Sequence, residues 1–173
     1  MMARDTLETI RTRRSTRSYR PDPIPDDDLR AILEAARQAP SAKNLQPRQF
    51  VVVRDDAQRK AVAAACMEQH WMAQAPVIVA ALGDPGASER WYAIDAAIAL
   101  QTLILAAHSL GYGTCWIGAF DQAKVKAVLG VPETLVVVNL TPIGVAAEDP
   151  PPTSRRDFSR LFHLDRYGQP LEM

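Results

Sequence analysis

The residue type in this chain best suited to chemistry is arginine. Sixteen of the twenty basic side chains are arginine, which holds a phosphate or carboxylate through two parallel hydrogen bonds. The arginines are segregated. Residues 1–20 carry six arginines against two acids, a local excess of +4, and residues 153–166 carry four against two. Between these poles, residues 61–110 carry one base and four acids. The run Arg13-Arg14-Ser15-Thr16-Arg17-Ser18-Tyr19 lacks a helical period. If it is extended, Arg13, Ser15 and Arg17 share one face, and two guanidinium groups flanking a hydroxyl make a phosphate clamp. A single arginine is more simply a solvated charge; the clustering shifts the balance toward an anion site.

Other chemistries find little support. Gly111-Tyr112-Gly113-Thr114-Cys115-Trp116 starts like a dinucleotide-binding turn but has Trp116 where the third glycine belongs. It also follows a helix and enters a strand, the reverse of that turn. There is no phosphate-binding P-loop and no GxSxG elbow. His70, His108 and His163 show no metal-ligand spacing. Cys66 and Cys115 are far apart and read as small core residues. No side chain stands out as acid, base or nucleophile. That pattern suits a site where a bound cofactor does the chemistry and the protein supplies grip and orientation.

The elements needed to position such a site are legible. The chain has 173 residues and a mass of 19.0 kDa, with 47% hydrophobic and 23% charged residues and no net charge. These values predict one globular domain, 1–173, and disfavour a general nucleic-acid or membrane-surface binder. The first residues lack an apolar signal core, so a cytoplasmic location is expected. Asp5-x-x-Glu8 opens a short helix with Leu7 and Ile10 inward. A second helix starts at Asp26–Asp28, buries Leu29, Ile32, Leu33 and Ala36, and stops before Pro40. The turn-rich stretch 39–47 follows. Strands are expected at 49–53, 77–82, 113–117 and 135–145, and further helices at 57–69 and 122–129, the latter closed by Gly130. The stretch 91–110 is long enough to cross a membrane. Its Asp95, Gln101, Thr102 and His108 favour a helix buried on most sides of a compact domain. Phe158, Leu161, Phe162 and Leu164 anchor the last segment. Together these describe an α+β domain with helices packed on four or five strands.

Four stretches, RRSTRSY, APSAKNLQP, AAHSLGYGTCWIGAF and SRRDFSRLF, resemble in that order the signature stretches of the FMN-dependent nitroreductase family. The resemblance runs from about residue 7 to the end. It implies an α+β nitroreductase-like fold, a central mixed, mostly antiparallel sheet flanked by helices. It implies an intertwined homodimer with FMN at the subunit interface, the long helix between the subunits, and a C-terminal arm from about residue 150 wrapping the partner. Carried over by position, Arg13, Arg14, Ser15 and Arg17 would bind the FMN phosphate and ribityl chain. Arg155 and Arg156 would complete the phosphate site. Pro40, Ser41, Ala42 and Asn44 would reach the flavin from the other subunit. Cys115, Trp116, Ile117, Gly118 and Ala119 would form the turn beside the isoalloxazine ring, where a backbone N–H approaches N5. No catalytic side chain is expected. NADPH or NADH would reduce the flavin and be replaced by a nitroaromatic, quinone or related acceptor in ping-pong order. Related branches of the fold dehalogenate, fragment flavin or desaturate, and a non-catalytic flavin-binding module is the alternative class.

Three features depart from the family pattern. Arg48 stands where an aromatic residue often follows Gln-Pro, and it would favour an acidic substrate or the extra phosphate of NADPH if it faced the site. The stretch 84–91 is short, so substrate access would differ. Partners for the flavin pyrimidine edge are unassigned, with Glu68–His70 as a candidate region.

Overall fold

The computed structural model describes residues 5–171. Four strands, β1 (Arg48–Val53), β2 (Val77–Gly83), β3 (Gly113–Thr114) and β4 (Val136–Gly144), form one sheet in the order β1-β2-β4-β3, every pair antiparallel. The parallel component is a single bridge, Ser15 to Thr114. β2 is buried along its whole length. Ile78, Ala80 and Leu82 face one core, and Val77, Val79 and Ala81 face a second. Burial on both faces explains why β2 reads as an unbroken apolar run rather than an alternating one. A β-bulge opposite Ala81/Leu82 leaves Val138 unpaired, so that Val137 and Leu140, three residues apart, enter the same core.

The helices are α1 (Thr6–Thr12), α2 (Asp26–Gln38), α3 (Asp56–Ala65), α4 (Tyr92–Ser109) and α5 (Gln122–Leu129). α2 and α4 cover one sheet face; α3 and α5 cover the other. Local chemistry sets their ends. Asp5 caps α1 by accepting from the Glu8 N–H at 3.0 Å, and Gly130 closes α5 with φ 65°.

Several expectations are corrected. Leu7 and Ile10 are 79% and 55% exposed, and the buried residue of α1 is Thr9. α3 stops at Ala65 because Met67 and Glu68 adopt left-handed φ of 54° and 56°, which a helix cannot continue through. β3 has two residues; beyond it Ile117 rejoins through an isolated bridge to Leu140. α4 buries one side, from Asp95 to Ala107, but leaves Ile94 and Ile98 exposed, and Trp91 just before it is exposed too. Phe158, Leu161, Phe162 and Leu164 are exposed rather than anchored in the body. These are apolar surfaces that one copy of the chain does not bury.

Candidate functional site

The arginine-rich segment is strapped to the β3 edge. Thr16 donates its N–H to the Thr114 carbonyl at 2.9 Å, Arg20 to Val145 at 2.9 Å, and the Tyr19 hydroxyl to Thr16 at 2.8 Å. The approach is close enough that a Cβ on Gly113 would sit 2.5 Å from Thr16 Oγ1, so this position must be glycine. Arg13, Ser15 and Arg17 then line, with Arg14, Pro150, Pro151 and Thr153, a cavity of about 220 Å³. Arg155 reaches the same place from the far end of the chain. Its guanidinium is braced by the Thr153 carbonyl and hydroxyl at 3.1 and 2.7 Å. Burial lowers the Arg13 pKa, and the nearby charges of Arg155 and Arg14 lower it further. Neither Arg13 nor Arg17 has an ion-pair partner among the described residues. Cys115 lies behind them. Burial pushes its thiol up, opposed by Arg17, a hydrogen bond with Ser15, and Arg13. A half-buried cation placed beside other cations is unfavourable alone and is satisfied by a polyanion. The cluster therefore fits a phosphate group.

Two of the expected clamp arginines contribute less. Arg14 turns its Nη1 to the carbonyls of Arg11 and Arg13 at 2.9 and 3.0 Å. Arg156 is exposed on the arm.

The second predicted stretch lies elsewhere. Pro40, Ser41, Ala42 and Asn44 belong to the loop that leads from α2 into β1. Lys43, Asn44 and Gln46 all have φ between 51° and 56°, an unfavourable conformation for side-chain-bearing residues. Two groups hold it. Buried Asp95, at the start of α4, accepts the Ala42 N–H at 3.2 Å on both carboxylate oxygens, and Ser41 Oγ accepts from Gln46 N–H at 3.0 Å. Arg48 is committed to the end of α2, donating to the carbonyls of Arg37 and Ala39. It caps a helix, which answers what stands in place of the aromatic residue.

The register shows how far apart these two groups are. Thr114 pairs with Ile143 and Ile143 with Val77, whereas Arg48 pairs with Gly83 at the other end of β2. The clamp and the loop thus occupy diagonal corners of the sheet. At ordinary strand spacings they are about 14 Å apart across the strands and about 20 Å along them. A single copy does not bring them onto one small ligand.

The third stretch, Cys115 to Ala119, leaves β3 and runs back along β4. Ile117 exchanges both backbone hydrogen bonds with Leu140 (2.9 and 3.1 Å). Its carbonyl also accepts from Asn139 Nδ2 at 3.3 Å. Trp116 Nε1 donates to Gln101 Oε1 at 2.7 Å, and Gln69 Nε2 donates to the Ala119 carbonyl at 3.1 Å. The candidate region Glu68–His70 thus abuts the turn. Gly118 and Ala119 are exposed. Asp95 and Asn139 hold these segments and were missed by sequence reasoning, whereas Gln69 lies inside the region Glu68–His70 that it had singled out. Of the two missed, only Asp95 had a readable signal, as the one acid in the apolar helix α4.

The chain is similar to several known proteins. The nitroreductase family pattern matches residues 10–71 and 64–145. An NADH dehydrogenase of Thermus thermophilus is 33% identical, over 86% of this chain and 90% of its own. An FMN reductase [NAD(P)H] of Bacillus subtilis is 32% identical, over 94% of this chain and 74% of its own. The NADPH:FMN oxidoreductase of Vibrio harveyi, solved in complex with NAD+, superposes with a TM-score of 0.87 at 27% identity. The match covers 96% of this chain and 79% of that one.

Proposed function

The chain belongs to the nitroreductase family, and from that premise we propose that it works as a homodimer whose two FMN sites are each built by both copies. It is an FMN-dependent oxidoreductase driven by NAD(P)H. Bound FMN supplies a two-electron relay between NAD(P)H and a nitroaromatic, quinone or related acceptor. The chain's own residues bind and orient. Arg13, Ser15, Arg17 and Arg155 neutralise the phosphate, and Arg14 and Arg156 flank it. Cys115, Trp116, Ile117, Gly118 and Ala119 offer backbone donors to the ring edge. Pro40, Ser41, Ala42 and Asn44 come from the second copy, because the sheet register keeps them from their own clamp. The whole chain, 1–173, acts as one FMN-binding domain whose arm, from about residue 150, packs on the partner. Dependence on NAD(P)H and two buried free cysteines suit a cytoplasmic location.

The observation that carries this reading is the half-buried, unpaired Arg13 beside Arg155. Its test is direct. The purified protein should bind FMN, turn yellow, and bleach under NADPH or NADH without oxygen, and initial rates against a quinone should give parallel double-reciprocal lines. Failure to bind FMN would overturn the reading. Bound flavin that neither nicotinamide reduces would favour the carrier role.

A further inference from the structure

The Cys115–Ala119 turn is anchored by two side-chain amides that no strand or helix requires. Asn139 Nδ2 donates to the Ile117 carbonyl at 3.3 Å, and Gln69 Nε2 to the Ala119 carbonyl at 3.1 Å and the Cys66 carbonyl at 2.8 Å. We infer that Asn139 and Gln69 are positioning residues that set the direction of the Gly118 N–H and thereby tune the electron affinity of the flavin at N5. This rests on the flavin reading above.

The argument is one of peptide geometry. Every peptide bond among the described residues is trans, so the carbonyl of Ile117 and the N–H of Gly118 point in opposite directions. Ile117 holds its carbonyl toward β4 with two donors, Leu140 N–H and Asn139 Nδ2. The Gly118 N–H is therefore turned away from β4, toward the exposed side of the turn, and it donates to nothing among the described residues. Two peptides further on, Gln69 fixes the Ala119 carbonyl. The Ile117–Gly118 peptide, held at its carbonyl and backed by a second anchor at Ala119, resists flipping, and a donor that does not reorganise is worth more to a developing charge than a mobile one. The surroundings serve this arrangement. The β4 bulge falls at Val138, next to Asn139. The left-handed Met67 and Glu68 end α3 early and swing Gln69 toward the turn. Gly118 has no side chain to cover its N–H, and a Cβ there would meet Asn139 Nδ2 at 3.6 Å.

Gln69→Met and Asn139→Leu keep shape and remove the donors. The probe is sulfite, whose lone pair forms a bond to flavin N5 while the displaced electron pair is held on the ring as negative charge. Each variant should bind FMN within about twofold of the parent but sulfite about tenfold more weakly, the effect of misaligning one hydrogen bond. The FMN midpoint potential should shift to more negative values. In the unmodified protein, FMN should move the Gly118 amide proton downfield and slow its exchange. Unchanged sulfite affinity in a folded, FMN-loaded variant would overturn the inference and leave the flavin function standing. A Gly118 amide that ignores FMN would overturn it even if neither variant folds. Loss of FMN binding in the parent protein would sink the flavin reading first.

Discussion

At the scale of single residues, position decides what each ionisable or nucleophilic group does. Arginine is abundant, yet the structure gives different arginines different tasks. Arg155 lies near enough for its charge to act on Arg13, Arg48 closes a helix, and Arg59 holds the Ala73 and Ala75 carbonyls. If the first pair grips phosphate, Arg13→Ala and Arg155→Ala should each weaken FMN binding about 10- to 100-fold, the worth of a charge-assisted hydrogen bond. Riboflavin, which lacks the phosphate, should bind the variants and the parent alike; equal losses for both ligands would place the arginines elsewhere. Cys66 shows the contrasting case of a reactive type made inert. It is fully buried, and burial alone pushes its thiol up to about 12. A folded-state pKa above the unfolded value contributes stability that is complete below pH 9 and disappears as pH rises from about 9 toward 12. Thermal melts across that range should fall less steeply for Cys66→Ala than for the parent. The variant should also carry a constant packing loss of about 1 kcal/mol.

At the scale of elements, the loop between α2 and β1 stores strain and α4 restrains it. Three left-handed, side-chain-bearing residues in four positions are costly, and such strain persists where the surroundings over-determine it. The Asp95 carboxylate does part of this from inside the apolar helix. Asp95→Ala should cost about 1–3 kcal/mol by leaving a partly buried donor unsatisfied. It should also speed hydrogen exchange at the Ala42 amide, whereas Asp95→Asn, which retains one acceptor, should do less. An unchanged Ala42 exchange rate in the alanine variant would mean the loop is held by other groups. The same reasoning explains the early end of α3. Its last turn gives way to the left-handed Met67 and Glu68, and the chain then places Gln69 against the Cys115–Ala119 turn rather than continuing the helix.

At the scale of the molecule, unburied apolar surface and a divided site point the same way. Leu7 and Ile10 on α1, Trp91 just before α4, Ile94 and Ile98 on α4, and Phe158, Leu161, Phe162 and Leu164 on the arm are exposed, and α1 packs beside α4. A partner copy would cover this surface and complete the site. Sedimentation should therefore give twice 19.0 kDa. Ile98→Glu, which places a charge in that surface, should yield a folded monomer at micromolar concentration that has lost FMN. A monomeric parent that binds FMN fully would contradict the shared-site reading.

Periodicity and terminators in the sequence were sufficient for α2, α5, β1, β2 and β4, because local capping and unbroken apolar runs decide those elements. The shared face of Arg13, Ser15 and Arg17 was legible too, since alternation in an extended segment needs no tertiary contact. The convergence of Arg155 on Arg13, the diagonal placement of loop and clamp, and the burial of Asp95 were decided by tertiary structure. Each depends on strand order and register, which bring together or separate residues distant in the chain. The inward reading of Leu7, Ile10 and the arm failed for a related reason. Hydrophobic pattern marks a surface for burial without saying whether the chain's own core or another copy will bury it.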